Sequence, residues 1–161
     1  MMSKVELIKQ VTYNTLEKVF KTFDKGIRLI PDDRLDFRPT QANMSAKEIS
    51  YHVYQVALLL ASAAKKGEYN VKDLDLIPFD PDKIVSSREI IQYGQKVKRF
   101  IEDTLLTISE EDMNREIKQR KDFSGFDAMK LITEEAIHHR GQLMLYLRLM
   151  DIQPPSIYDY S

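Results

Sequence analysis

Four long stretches of the chain repeat their apolar residues every three or four positions, and no stretch of four or more residues alternates cleanly between apolar and polar. That pairing constrains the fold more than any other feature. A period near 3.6 makes amphipathic helices, and the missing period of 2 removes half-buried strands. In the first stretch Val5, Ile8, Val11, Leu16, Val19, Phe20, Phe23 and Ile27 lead to about Ile30, and Pro31 stops the helix. The second opens on Ser45-Ala-Lys-Glu48, a capping box, and carries Ile49, His52, Val56, Leu59, Leu60 and Ala63 as far as Gly67. The third opens on another box, Ser86-Ser-Arg-Glu89, and runs through Val97 and Leu105 to Ile108. The fourth starts near Ser124-Gly125, carries Met129, Ile132, Ala136, Leu143, Tyr146 and Met150, and ends before Pro154-Pro155. Burying four such stripes together gives an all-α four-helix bundle.

The connectors shape that bundle. Residues 31–40 hold two prolines and three acids, a short surface link. Residues 68–85, with Pro78 and Pro81, form a long crossover, which in a compact domain wraps the surface or closes over a site as a lid. Ser109-Glu-Glu-Asp-Met113 reads as a short extra helix, and residues 114–123 as an extended polar return. At 161 residues the chain has the size of a single domain, 1–161.

Composition narrows the chemistry. Lys and Arg total 24 against 25 Asp and Glu, so there is no global field for a polyanion, and nucleic acid is not an expected partner. Lys96, Lys98 and Arg99, and Lys118, Arg120 and Lys121, lie among acids and read as solvated faces. With no cysteine there is no disulfide, thiol nucleophile, iron–sulfur cluster or thiolate zinc site. The first residues lack an apolar signal core, and the greasiest run, Val53 to Ala64, falls short of the roughly 20 residues a bilayer requires. A cytoplasmic protein with no membrane partner is expected.

The chain has three histidines: His52, His138 and His139. At about 100° per residue, His139 falls on the stripe of Ile132, Ala136 and Leu143, while His138 turns toward the rim. Glu135 precedes His139 by four positions and shares its face. His52 lies between Ile49 and Val56 on the second helix. Two imidazoles and one carboxylate make a three-ligand metal set, His52, Glu135 and His139, with positions left open, the pattern of catalytic sites. Such donors suit zinc, nickel or iron, and spacing does not choose among them. The plainer alternative is a core histidine hydrogen-bonded to Glu135. A di-iron centre requires a second Glu-x-x-His, and the chain has only Glu135-Ala-Ile-His138.

At these residues the chain resembles the DinB superfamily, the DinB/YfiT-like metalloenzymes. The resemblance rests on Leu35-Asp-Phe-Arg-Pro39, Ser45-Ala-Lys-Glu-Ile-Ser-Tyr-His52, His138-His-Arg-Gly-Gln-Leu-Met-Leu-Tyr-Leu-Arg148 and Pro154-Pro-Ser-Ile-Tyr158, and spans nearly the whole chain. It implies a four-helix bundle with a long crossover, a homodimer, and a divalent metal held by one histidine of helix two and two ligands of the last helix. The helix-two ligand is then His52 and the last ligand His139. The family pattern His-x-x-His-His-Arg-Gly-Gln departs here, because its first histidine falls on Glu135.

The activities implied are transfer reactions of low-molecular-weight thiols and metal-dependent hydrolyses or isomerisations of small molecules, in which the metal activates a water or a thiol. The alternative is a non-catalytic dimeric bundle with a degenerate or structural metal site. No catalytic residue stands out beyond the ligands. Gln142 and Tyr146 are expected to orient substrate or to pack. Glu48 is expected either to fix the His52 tautomer or to cap its helix. In the non-catalytic alternative Tyr51 and Tyr54 are core-edge aromatics, and Arg140, beside Gly141, serves packing and an interhelical ion pair. As a ligand, Glu135 is expected to be ionised inside an otherwise apolar bundle, which a bound dication makes tolerable.

Overall fold

The computed structural model describes residues 1–161, and it is all-helical. Six α-helices follow in order: α1 (Lys4–Asn14), α2 (Lys21–Arg28), α3 (Ala46–Lys66), α4 (Ser87–Thr107), α5 (Glu110–Asn114) and α6 (Gly125–Leu149). A π-helical segment, Thr15–Phe20, joins α1 to α2, so the first apolar stretch is one long rod with a widened turn inside it. The Thr15 hydroxyl donates to the Val11 carbonyl at 3.0 Å and meets the Thr133 hydroxyl at 2.6 Å. Thr12 and Thr15 are buried beside Leu16, while Val11 is only half-buried.

The helix starts follow the capping chemistry. Ser45 and Glu48 exchange hydrogen bonds at 3.1 and 2.6 Å, and Ser86 gives both its amide and its hydroxyl to Glu89. Three further boxes, at Ser3, Ser109 and Ser124, use Glu6, Asp112 and Asp127. Each satisfies amides that a first helical turn leaves without partners. Gly67 ends α3 at φ 73°, a left-handed conformation that favours glycine. Gly94 of α4 lies against the ring of Tyr54, where a Cβ would come within 2.5 Å of Cζ.

The core runs along the middle of the bundle through Phe20, Phe23, Ile49, Leu58, Ile90, Ile101, Ile132 and Leu147, all essentially inaccessible. Tyr54 belongs to this interior rather than to its edge. It is fully buried, and its hydroxyl donates to Asp24, whose other oxygen takes Lys98 Nζ at 2.5 Å. Lys98 therefore pairs with a buried carboxylate instead of lying on a solvated face. Helix periodicity cannot register such a pairing, because the partners come from distant helices.

The crossover of residues 68–85 forms two short 3-10 turns, Val71–Leu76 and Pro81–Lys83. It wraps the α3–α4 flank: the Phe79 ring sits 4.3 Å from Tyr93 and 5.3 Å from Tyr51, and Asp73 takes Ser62 and Lys66. The return before α6 bends back on itself, with Ile117 N–H donating to the Phe123 carbonyl and a bridge between Glu116 and Ser124. After α6 the tail returns to the first rod, where Lys25 meets Asp159 at 2.9 Å. No helix is long and apolar enough to cross a membrane.

Candidate metal centre

The second turn of α3 and the middle of α6 bring together the three residues singled out by spacing. One ligand atom each from His52, Glu135 and His139 lies within 4.8 Å of the other two. The two imidazole rings meet edge to face, 5.0 Å between centroids. His139 is buried at 5% exposure and His52 is half-buried. Glu135 is not enclosed by apolar side chains as expected: 31% of its side chain is exposed. It stands at the rim because its neighbours around the helix, Glu134 and His138, face solvent.

His139 is held at both nitrogens. Its Nε2 lies 3.2 Å from Glu135 Oε2, and its Nδ1 lies 2.8 Å from Gln142 Oε1. The Gln142 amide nitrogen points at His138 Nε2, 3.1 Å away. With the amide in this orientation its oxygen accepts from His139 Nδ1–H and its NH₂ donates to His138 Nε2. In that tautomer Nε2 is the lone-pair nitrogen of His139 and faces Glu135 Oε2, so a cation held by both atoms would satisfy the pair. Burial holds the His52 imidazole below its ordinary value, helped by His139 and opposed by Glu135. That favours the neutral form that ligation requires.

The donor set fits a divalent cation. Ligands about 2.0–2.2 Å from a tetrahedral ion stand roughly 3.3–3.6 Å apart. The Glu135–His139 pair is already near that spacing at 3.2 Å, and the ligand atom of His52 lies within 4.8 Å of both.

Other expectations fall differently. Glu48 is committed to its helix cap and to Arg38, 3.2 Å away, so it does not fix His52. Tyr146 packs instead of reaching for substrate, with its hydroxyl donating to the Met44 carbonyl and its ring edge-on to Phe37. Arg140 donates to the Thr22 hydroxyl at 3.3 Å and forms a hydrogen bond, not an ion pair. Gln142 proves to be the residue that orients His139. Its signal in the sequence was only its place one turn beyond that histidine.

The DinB family matches the chain over residues 1–161. This protein belongs to the DinB family. A curated relative, the uncharacterized protein YjoA of Bacillus subtilis, is 27% identical over 125 residues, which cover 75% of this chain and 77% of YjoA. The crystal structure of that DinB-like protein superposes with a TM-score of 0.69 at 24% identity, covering 92% of this chain and 97% of the other. The likeness extends to the fold. Within the DinB fold, the His52, Glu135 and His139 group could hold a metal ion between α3 and α6.

Proposed function

We propose that this DinB-family chain, acting as one domain over residues 1–161, is a divalent-metal-dependent enzyme. Its ligands are His52, Glu135 and His139, and it works on a small molecule in the cytoplasm. The observation that carries the reading is the convergence of three donor atoms from two helices within 4.8 Å, with His139 already oriented by Gln142. When bound, the cation supplies Lewis acidity that lowers the pKa of a coordinated water or thiol, as a hydrolase or thiol transferase requires. Zinc, nickel and iron all match imidazole and carboxylate donors. Gln142 holds the His139 ring so that Nε2, not Nδ1, faces the shared space. Glu135, at the rim, leaves the group open on its solvent side, the route a small substrate needs.

The test is a calorimetric zinc titration of tag-free protein, followed by assays of thiol transfer and ester hydrolysis. Stoichiometric binding that disappears in His139→Ala, with turnover dependent on metal, supports the reading. No binding by the wild type defeats it. Binding without turnover of either substrate class leaves the alternative, a structural metal in a non-catalytic bundle.

We infer also that two copies pair. Ile137, Leu145 and Leu149 are about half exposed along α6, in one row with Gly141, where an added Cβ would meet no atom within 4 Å. A glycine within an exposed apolar row allows a second helix to approach closely. Sedimentation should give a dimer for the wild type and a monomer for Leu145→Glu.

A further inference from the structure

An apolar cavity of about 260 Å³ lies in the α3–α6 groove beside the candidate metal centre. Val56 and Leu131 form its near end. Val56 is one turn past His52 on α3, and Leu131 is one turn before Glu135 on α6, about 6 Å along each helix. The two helices run antiparallel, since His52 faces His139 while the carbonyl of Ala64 lies against Gly125. Both steps therefore lead the same way along the groove, from the ligands into the cavity. Leu60 and Phe123 continue the apolar lining.

Arg120 lies at the far end, carried by the return before α6, which is tied to the end of α3 by Lys118 N–H donating to the Gly67 carbonyl. The Arg120 guanidinium stacks 3.9 Å over the Phe123 ring, and no carboxylate of the chain pairs with it. A planar cation held on an aromatic face at the mouth of an apolar pocket suits a carboxylate better than a neutral group. A cavity of roughly 150 Å³ already accommodates benzene, so this one has room for an aromatic ring with a short chain.

We propose that the substrate is an arylalkyl or branched-alkyl carboxylic acid. Its apolar body fills this cavity, its carboxylate lies on Arg120, and its reactive group lies toward His52, Glu135 and His139. The position of the reactive end rests on the metal-enzyme reading above, whereas the occupancy of the cavity does not.

The probes are 4-phenylbutyrate and the neutral 4-phenylbutan-1-ol, titrated calorimetrically into full-length protein in EDTA, so that no metal can hold the carboxylate. The wild type should bind the acid about tenfold more tightly than the alcohol. Arg120→Gln should abolish that difference. Val56→Phe, which fills the near end, should weaken both probes by about tenfold, and Leu131→Phe is the second filling variant should the first fail to fold by circular dichroism. Equal binding of acid and alcohol by the wild type, absence of binding up to millimolar concentration, or unchanged affinity in a folded filling variant overturns the proposal. Zinc titration of the same proteins separates the two readings: failure of zinc to bind throughout removes the metal reading and leaves the cavity result standing.

Discussion

Gln142 accepts a hydrogen bond from Nδ1 of His139 at 2.8 Å, one turn further along the same helix. The glutamine amide has no charge of its own, yet it decides which ring nitrogen is left to face His52 and Glu135. Gln142→Leu should weaken zinc binding by about 10- to 100-fold with little change in melting temperature. Gln142→Glu, which still accepts from Nδ1, should restore most of the affinity. Calorimetry on both variants checks this, and unchanged affinity in the leucine variant would dismiss the positioning role.

The proposed ligand role of Glu135 can be tested by heat. Zinc or nickel should raise the melting temperature of stripped protein, since binding to the native state stabilises it by about 2.7 kcal/mol at a free metal concentration 100-fold above the dissociation constant. Glu135→Ala should reduce the gain, Glu135→His should keep or strengthen it, and His138→Ala should change it least. An equal metal response in wild type and Glu135→Ala would leave Glu135 as a hydrogen-bonding bystander.

The buried chain Tyr54–Asp24–Lys98 supports the fold away from that site. Tyr54→Phe removes one partner of a carboxylate that is 5% exposed and should cost about 1–3 kcal/mol in urea unfolding. Lys98→Met leaves the same carboxylate without its cation and should cost more, about 3 kcal/mol. A cost near zero for the second would mean that Lys98 is solvated after all.

Acid should act through Asp112. Burial alone would raise its carboxyl, but hydrogen bonds from Lys65 and from the Ser109 cap hold it down to about 2, against an ordinary 3.8. A folded value below the unfolded one means that the stabilisation is fully present above about pH 4 and is lost as pH falls through about 2. The stability gap between wild type and Asp112→Asn should therefore be constant near neutrality and shrink below pH 4. A gap that persists at pH 2 would contradict the assignment.

These features differ in how far the sequence discloses them. The helices at Ser45, Ser86 and Ser124 and the pairing of Glu135 with His139 follow from local spacing, because a capping box and an i,i+4 pair are complete within one turn. His52 joins them only through its place on the apolar stripe of another helix and the family resemblance. Two further boxes, at Ser3 and Ser109, are written in the same local code. Asp24 and Lys98 are 74 positions apart, and neither helix alone says that one buries the other's charge. The role of Gln142 depends on which of its atoms meets which ring nitrogen, a matter of rotamers rather than spacing. The cavity exists because residues 117–123 fold back over the end of α3, and no periodic pattern records that contact. The one local irregularity that could have been read is the five-residue step from Val11 to Leu16, where regular steps are three or four.

That step is where the Thr15–Phe20 turn widens, and it amounts to one residue of slack in the first rod. Without it, everything before Asn14 would rotate about 100° relative to everything after, and Ile8 would leave the core. A single deletion at Asn14 should therefore convert the segment to regular α-helix with Ile8 still in the core, because it removes the residue that the widened turn absorbs. The slack abuts α6 through the Thr15–Thr133 hydroxyl pair, two residues before Glu135. A change of register in the first helix would thus be felt at its hydroxyl contact with α6, on the helix that also carries two of the candidate ligands.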